Sequence, residues 1–340
     1  AAEALAEHRV KSLASLYDHQ WEHKERDLFT SPSSGELVSN TFMVPRTKED
    51  LTRIGDTMHK RGEFTQGMMG RMPDYLNRAI AGYAGSADFL KVQSDQFADN
   101  MRNYLQYLRE EDLSLTHTLI NPQINRAVSA AKQADPFLAA RVKEETDAGI
   151  VIRGARMLAT LPISDEIMVF PSTLLRSPEE DAPYAFGFAI ANNTPGLKFQ
   201  CRETFDYGGS SFDHPLSSRY EEMDAVVFFD DVFVPWEKVF LYRDVAICNQ
   251  AYAATGTVWH MAHQVICKSI AKTEYMLGLV SLMVDAIGIE RFQHVQEKVM
   301  EVWLTLETMK AFRFAAEQQA TLNDYGVMTP AVAPLDAARN

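Results

Sequence analysis

The chain has 340 residues, and its 46 acidic and 33 basic side chains give a formal net charge of −13. This charge disfavours binding to nucleic acid or to anionic membrane surfaces, and no cluster of five or more basic residues offsets it. A single core stops growing near this length, so we expect two or three packed units. The three cysteines are too few for a disulfide framework, and no apolar stretch is long enough for a signal core or a membrane span. We therefore predict a cytoplasmic protein that has no membrane or nucleic-acid partner.

The first 110 or so residues have the spacing of helices. Thr47 to Asp50 fits a capping box, and Gly62 is placed to end the helix that follows. A second helix is predicted from Ser86, because apolar residues then recur every three or four positions. Between these helices, Pro73 favours a new helix start after a glycine-containing loop.

The middle of the chain has short apolar or alternating runs separated by turn residues, which is typical of β-strands. Helical spacing returns after Asp244 and continues to about Leu322, with a break near Gly288. The predicted fold class is therefore α+β, with a helical domain at 1–112, a β domain at 113–243 and the start of a helical bundle at 244–340. The predicted strands are Leu113–Ile120, Gly149–Ala159, Glu166–Phe170, Tyr184–Ala191 and Ala225–Val234, and a helix is predicted at Phe137–Glu145.

The last long helix has apolar positions that need a covering surface. Val302, Leu306, Met309 and Phe312 recur at helical spacing close to the end of the chain. We expect further helices or a second subunit to cover this face.

Two short patterns have the spacing of metal ligands. His19, Glu22 and His23 match the H-x-x-E-H order of some zinc peptidases, although a solvated helix end explains the same residues. His260, His263 and Cys267 share one face of a predicted helix, where buried packing is the simpler interpretation. We predict no metal at either place.

Other common catalytic patterns do not stand out in this sequence. No nucleophile elbow is recognisable, and Gly208–Ser211 does not lead into a helix as a dinucleotide fingerprint requires. Arg71, Tyr75 and His117 lie in polar breaks beside apolar segments, and such residues commonly tie loops to the backbone. Residue type and spacing alone leave their role open.

Four blocks of sequence resemble one family, the oxygenase component of 4-hydroxyphenylacetate 3-hydroxylase and its phenol-hydroxylating relatives. The blocks occur in the family's order, and the resemblance is nearly continuous from Gly70 to Asp244. They are Met69–Tyr75, Glu145–Ile150, Pro215–Arg219 and Val234–Val239, the last followed by Tyr242-Arg243-Asp244.

The resemblance implies an acyl-CoA dehydrogenase-like fold and a flavin-dependent monooxygenase. Members of the family take reduced FAD from a separate NAD(P)H:flavin reductase and form a C4a-hydroperoxyflavin with O2. They then hydroxylate a phenol, such as 4-hydroxyphenylacetate, ortho to its hydroxyl group. The resemblance also implies a homotetramer or homodimer.

The resemblance further implies the positions of the site residues. Arg71, Tyr75 and His117 match residues around the substrate hydroxyl and the flavin, where a guanidinium and an imidazole favour the phenolate through charge and donated hydrogen bonds. Ser172 and Thr173 match a pair at the substrate carboxylate, although a turn after a strand explains them nearly as well. The residues that match flavin contacts are His117, Thr118, Leu119, Gln123, Ile124, Asn125, Arg126 and Thr160. Arg219 is suggested as a partner of the diphosphate on chemical grounds alone.

Two alternatives remain open at this point. A related 4-hydroxybutyryl-CoA dehydratase shares the fold and binds an iron–sulfur cluster, and His260 and Cys267 match part of its ligand pattern. However, Arg71 and Tyr75 stand where two of its cysteines should be, and three scattered thiols cannot complete the cluster. The second alternative is a non-catalytic relative that keeps the fold as a binding module. Because members of the family extend beyond both ends of this sequence, we expect part of the flavin site to come from outside it.

Overall fold

A computed structural model describes residues 2–71, 73–122, 124–172, 175–206 and 208–339 of the chain. Its elements follow the order helical, β, helical, which confirms the predicted α+β class. The helices are α1 (Ala2–Glu22), α2 (Lys24–Asp27), α3 (Lys48–Phe64), α4 (Asp74–Gly85), α5 (Asp95–Glu110), α6 (Val245–Ala254), α7 (Thr257–Ile287), α8 (Gln293–Gln318) and α9 (Val332–Arg339).

Twelve strands are assigned within the described residues. The short ones form two hairpins outside the β domain, β1 with β2 and β11 with β12. The strands are β1 (Leu28–Thr30), β2 (Leu37–Ser39), β3 (Leu115–Thr118), β4 (Arg141–Thr146), β5 (Gly149–Thr160), β6 (Glu166–Val169), β7 (Phe186–Ala191), β8 (Leu197–Cys201), β9 (Asp224–Pro235), β10 (Val239–Tyr242), β11 (Thr321–Leu322) and β12 (Met328–Thr329).

Helix α3 begins as predicted but ends later. The Thr47 hydroxyl accepts from the Asp50 amide, and the Asp50 carboxylate accepts from the Thr47 amide, which is the predicted capping box. Gly62 does not end the helix, because α3 continues to Phe64. Instead, Gly62 allows α3 to approach α7 closely: a Cβ atom there would lie 2.9 Å from the Cβ of Ala271.

The serine that caps the helix predicted from Ser86 lies eight residues later, at Ser94. Ser94 caps α5 by accepting a hydrogen bond from the amide of Gln96, whereas Ser86 follows the end of α4 and leads into a 3-10 turn at Ala87–Val92. The apolar stripe itself is correct, since its members are buried in the main core. These residues are Leu90, Phe97, Met101, Tyr104, Leu105 and Leu108.

The β domain consists of two four-stranded sheets. Their orders are β10-β7-β6-β3 and β4-β5-β9-β8, and only β3 and β6 are parallel among these neighbours. The helix predicted at Phe137–Glu145 is wrong: the segment contains β4, in which Val142 is buried and the next three residues are exposed. Strand β8 was not predicted, because this edge strand buries none of its side chains fully.

The C-terminal helices follow the prediction with a shifted end. Gly288, at φ 71°, ends α7, and α8 ends at Gln318 rather than Leu322, because a hairpin follows. On the predicted apolar face, Leu306 and Met309 pack in one cluster with Ile266 and Ile270 of α7. No described helix is both long and apolar enough to cross a bilayer.

Candidate active site

Arg71, Tyr75 and His117 are brought together where α4 meets the β domain. Arg71 lies just before α4, and its guanidinium carbon is 5.0 Å from the centroid of the Tyr75 ring. The Tyr75 amide donates to the Arg71 carbonyl at 3.1 Å, as expected for residues one turn apart. His117 belongs to β3, and its ring centroid is 5.5 Å from that of Tyr75. The Tyr75 ring therefore contacts both the exposed guanidinium of Arg71 and the buried imidazole of His117.

The His117 imidazole is neutral at physiological pH. Burial, followed by the positive charge of Arg71, lowers the pKa of His117 to about 3. The charge and the donated hydrogen bonds expected from these two residues therefore divide between them. Arg71 supplies the charge, and His117 supplies one hydrogen-bond donor and one acceptor.

The loop that carries Arg71 is held from two sides. The Arg71 amide donates to Glu222 Oε1 at 2.6 Å, and the side-chain amide of Gln264 on α7 donates to the Gly70 carbonyl at 3.0 Å. Burial raises the pKa of Glu222 and lowers that of the neighbouring Lys268. Sequence reasoning missed these residues, because nothing in their local pattern shows that they contact residue 70 or 71.

An aromatic row extends inward from His117. The ring of Phe170 lies 6.0 Å from His117 and 5.4 Å from Tyr252 of α6, and Tyr83 of α4 completes the group. Phe170 and Tyr83 are fully buried in the main core, and the rings pack against one another at separations at which aromatic pairs are stable.

A cavity of about 490 Å³ is lined by residues that closely follow His117 and Phe170 in the chain. Leu119, Asn125, Arg126 and Ser172 are among its lining residues, and Ser172 is almost fully buried. Ile124 lines a neighbouring cavity of about 700 Å³ instead. Gln123 and Thr173, which were also predicted to contact flavin or substrate, lie outside the described residues.

The two predicted threonines differ in what their hydroxyl groups do. Thr118 donates to the Met157 carbonyl at 2.7 Å and so ties β3 to β5. Thr160, at the end of β5, donates to Asp224 Oδ1 at 3.0 Å, which leaves its oxygen lone pairs available as acceptors. The next residue, Leu161, has a φ of 60°, a strained conformation that fits a functional site.

These residues fit a bound flavin dinucleotide. Within the described chain, Arg126 makes no ion pair, so a guanidinium at the cavity is available for a diphosphate. The Thr116 hydroxyl donates to the Thr160 carbonyl, which fixes the end of β5 against β3, the strand that carries His117. Arg219, suggested for the diphosphate, instead donates to the Tyr220 hydroxyl at 3.0 Å and does not line this cavity.

The first of the two patterns with metal-ligand spacing lies at the exposed end of α1. The donor atoms of His19, Glu22 and His23 are close enough for one ion. However, the His19 ring stacks on Phe64 at 4.3 Å, and the His23 ring bonds to the carbonyl of His19. The stacking and the helix-end hydrogen bond account for the two imidazoles.

The second pattern is divided by the fold. His260 contacts the Arg78 guanidinium at 3.2 Å, whereas His263 and Cys267 lie close to Glu317 of α8. Glu317 accepts from His263 at 2.8 Å and from Arg313 at 2.8 Å, so two cations already neutralise it. No group of potential ligands within the described chain contains two cysteines, which does not fit the iron–sulfur alternative.

Comparison with solved structures supports the predicted acyl-CoA dehydrogenase-like fold. An archaeal 4-hydroxybutyryl-CoA dehydratase matches with a TM-score of 0.86 at 18% identity, covering 97% of this chain and 66% of that one. At this identity the match shows the shared fold alone. A structure of a 4-hydroxyphenylacetate 3-monooxygenase oxygenase component, complexed with FAD and 4-hydroxyphenylacetate, matches with a TM-score of 0.92 at 48% identity and covers 97% and 68% of the two chains.

Comparison with family models and curated proteins gives the same result at the sequence level. The model described as 4-hydroxyphenylacetate 3-hydroxylase N terminal matches residues 2–241, and its C-terminal counterpart matches residues 248–340. The 4-hydroxyphenylacetate 3-monooxygenase oxygenase component of Thermus thermophilus is 49% identical, over 97% of this chain and 68% of that protein. The protein of the same name from a Geobacillus species is 48% identical, over 97% and 67%. The chain therefore belongs to the 4-hydroxyphenylacetate 3-hydroxylase family.

Proposed function

We propose that this protein is the oxygenase component of a two-component flavin-dependent monooxygenase that hydroxylates a phenol ortho to its hydroxyl group. The observation that carries the proposal is the grouping of Arg71, Tyr75 and His117 at one end of a row of aromatic rings. Relatives at 48–49% identity are named as such oxygenase components, and a solved relative is described with FAD and 4-hydroxyphenylacetate.

In this reaction the protein binds the phenol and shifts its ionisation toward the phenolate. Bound reduced FAD supplies the activation of O2. The Arg71 guanidinium lowers the pKa of a phenol placed against Tyr75, because a nearby positive charge favours the ionised form. Neutral His117 accepts or donates a hydrogen bond at the same oxygen and holds the ring in one orientation. An ionised phenol is richer in electrons at its ortho carbons, where the new oxygen is added.

The remaining predicted residues divide between substrate and cofactor. Ser172 and Thr173 are proposed to receive the substrate's side-chain carboxylate. The proposed flavin contacts are His117, Thr118, Leu119, Gln123, Ile124, Asn125, Arg126 and Thr160. Among these, Thr118 contributes by holding β3 against β5, since its hydroxyl already donates to the Met157 carbonyl.

The proposed physiological setting follows from the reaction. Reduced FAD requires a separate NAD(P)H:flavin reductase, so we propose such a partner together with a homotetrameric or homodimeric state. A cytoplasmic location suits both NAD(P)H and reduced flavin.

The direct test supplies the purified protein with a flavin reductase, NADH, FAD and 4-hydroxyphenylacetate, and analyses the products by mass spectrometry. We expect 3,4-dihydroxyphenylacetate with one oxygen atom derived from ¹⁸O2. A panel of halophenols, hydroxycinnamates and tyrosine then ranks the substrates. If none of these phenols yields an ortho-diol while the protein binds reduced FAD, the proposal is wrong.

A further inference from the structure

Arg156 is a fully buried cation whose charge has no counter-ion among the described residues. It lies on β5, and none of its surface is exposed. No carboxylate of the described chain pairs with it. Its guanidinium carbon lies 5.1 Å from the centroid of the Phe186 ring, and Tyr252 and Cys248 also act on its charge. Burial lowers the pKa of Arg156 to about 10, so the guanidinium still carries its charge at neutral pH. A buried cation of this kind is costly unless an anion accompanies it.

Two other fully or almost fully buried arginines differ from Arg156. Arg61 forms an ion pair with Asp74. Arg78 also lacks an ion pair among the described residues, but it donates to the carbonyl groups of Thr41 and Met43 and contacts His260, which leaves only its Nε without a described partner. Arg156 has a single described hydrogen bond, and its Nε and Nη2 atoms are buried without a described partner.

The position of Arg156 relates it to the proposed substrate site. Its Nη1 atom donates at 2.6 Å to the carbonyl of Leu119, and Leu119 lines the same cavity as Ser172. Its charge also interacts with Tyr252, at the inner end of the aromatic row that begins at His117. Arg71 and Arg156 therefore lie at opposite ends of this row, one exposed and one buried.

We propose that Arg156 is a specificity-determining residue that selects phenols carrying a negatively charged side chain. The inference rests on the proposed function and deepens it. A phenol whose hydroxyl group lies at Arg71 directs its para side chain toward Ser172, which lines the same cavity as Leu119, the residue whose carbonyl binds Arg156. A carboxylate there supplies the missing counter-charge, whereas a neutral side chain leaves the buried cation unpaired. A site whose buried polar group pairs with a group of the substrate rejects an analogue that lacks this group, because the buried group of the site is then left unpaired.

The other charges around the cavity do not replace this one. Arg126 and Arg176 line the cavity and are exposed, so solvent screens them, and they suit the cofactor's diphosphate. The Asp181 carboxylate already accepts hydrogen bonds from the backbone amides of Arg176 and Ser177. The uncompensated charge that solvent does not reach is therefore that of Arg156.

The test compares two ligands of nearly equal size, 4-hydroxyphenylacetate and the neutral 4-hydroxyphenylethanol. Their dissociation constants are measured by calorimetry, without O2, on the protein loaded with reduced FAD. We expect the wild-type protein to bind the carboxylate about tenfold more tightly. We expect R156Q to lose most of this preference and R156K to retain it. The matched control is R153Q on the same strand, where Arg153 is exposed and paired with Asp231; it should keep the wild-type ratio.

The ratio of the two constants separates specificity from damage to the fold, because a misfolded site loses both ligands alike. Thermal unfolding and the affinity for reduced FAD check each variant. The proposal is overturned if the wild-type protein binds both ligands equally, a comparison that needs no variant. It is also overturned if R156Q folds and keeps the full preference. Failure of the proposed function is recognised separately, as the absence of an ortho-diol from either ligand.

Discussion

At the scale of single residues, the environment of His117 decides its chemistry more than its residue type does. An exposed histidine titrates near neutral pH, but burial and Arg71 lower the pKa of His117 to about 3. A group that is already neutral cannot produce a pH dependence between pH 5 and 8. Its contribution is therefore the orientation of a hydrogen bond.

Replacement of His117 by alanine tests this role. We expect kcat/KM for the phenol to fall by about 10²-fold, at the lower end of the usual effect of a group that handles a proton. The shape of the pH profile between pH 5 and 8 should be the same in H117A and in the wild-type protein. Loss of an acidic limb near pH 6 in the variant would show that the imidazole titrates in this range.

The residues that could be predicted from the sequence are those in contiguous motifs. Arg71 and Tyr75 were found because a family-like block contains them, and His117 because it lies within the nearly continuous resemblance from Gly70 to Asp244. Glu222 and Arg156 were missed, since their importance comes from contacts with residues that are distant in the chain. Local pattern does not encode such contacts.

At the scale of elements, Gly67 fixes how the Arg71 loop meets α7. Its φ of 76° disfavours any other residue, and a Cβ atom there would lie 2.3 Å from the Cβ and 2.6 Å from the Cα of Lys272. The clash includes backbone, so a side-chain rotation cannot relieve it. The predicted stop at Gly62 failed for a related reason, because that glycine serves close helix packing.

We expect G67A to destabilise the protein by more than the conformational cost alone, which is about 1–2 kcal/mol. The suitable control is G35A, since Gly35 has a φ of 78° and no atom within 4 Å of an added Cβ. Overpacking against α7 should add about 1–3 kcal/mol in G67A, measured as the free energy of unfolding in urea. Equal losses of unfolding free energy in both variants would show that α7 accommodates the added methyl group without a further loss of stability.

The contact between α7 and α8 contains a buried ion pair. Burial opposes the charge of His263, but Cys267 and Glu317 raise its pKa to about 9. Burial likewise opposes the charge of Glu317, but His263 and Arg313 lower its pKa to about 2. The unfolded values are about 6.5 and 4.3. The stability contributed by this pair is therefore complete between about pH 4.3 and 6.5.

From this pair we expect the free energy of unfolding to decrease as pH rises from 6.5 to 9. His263 is charged in the folded protein over this range and loses its proton when the chain unfolds. Urea titrations at several pH values measure the slope, and H263Q should flatten it. A C267S variant separates any contribution of the thiol. An equally steep slope in H263Q would assign the effect to other groups.

At the scale of the whole molecule, one short segment links the two halves of the site. Glu222 holds the amide of Arg71 in the helical part, and Asp224 holds the hydroxyl of Thr160 in the β domain. Arg202 fixes this segment by donating to Glu221 and to the Glu222 carbonyl. The order of helical and β parts could be predicted from periodicity, but this link could not, because it depends on how the parts pack.

We expect E222A to weaken phenol binding about tenfold, because a small displacement of Arg71 misplaces its charge. Reduced FAD should bind nearly as in the wild-type protein. E222Q keeps an oxygen that accepts from the Arg71 amide, so phenol binding should be close to that of the wild-type protein. The control is E179A, which removes an exposed carboxylate and should leave phenol binding unchanged. Equal weakening in E222A and E222Q would contradict a role through that hydrogen bond.

The central claim is that Arg71 lowers the pKa of a phenol bound beside Tyr75 and His117. It is tested most directly by titrating a chromophoric phenol, 4-nitrophenol, on the protein loaded with reduced FAD in the absence of O2, while following the absorbance of its phenolate. We expect the pKa of the bound phenol to lie below that of the free phenol, and R71A to raise it by about one unit or more. If the pKa of the bound phenol is the same in the wild-type protein, in R71A and in free solution, Arg71 does not favour the phenolate.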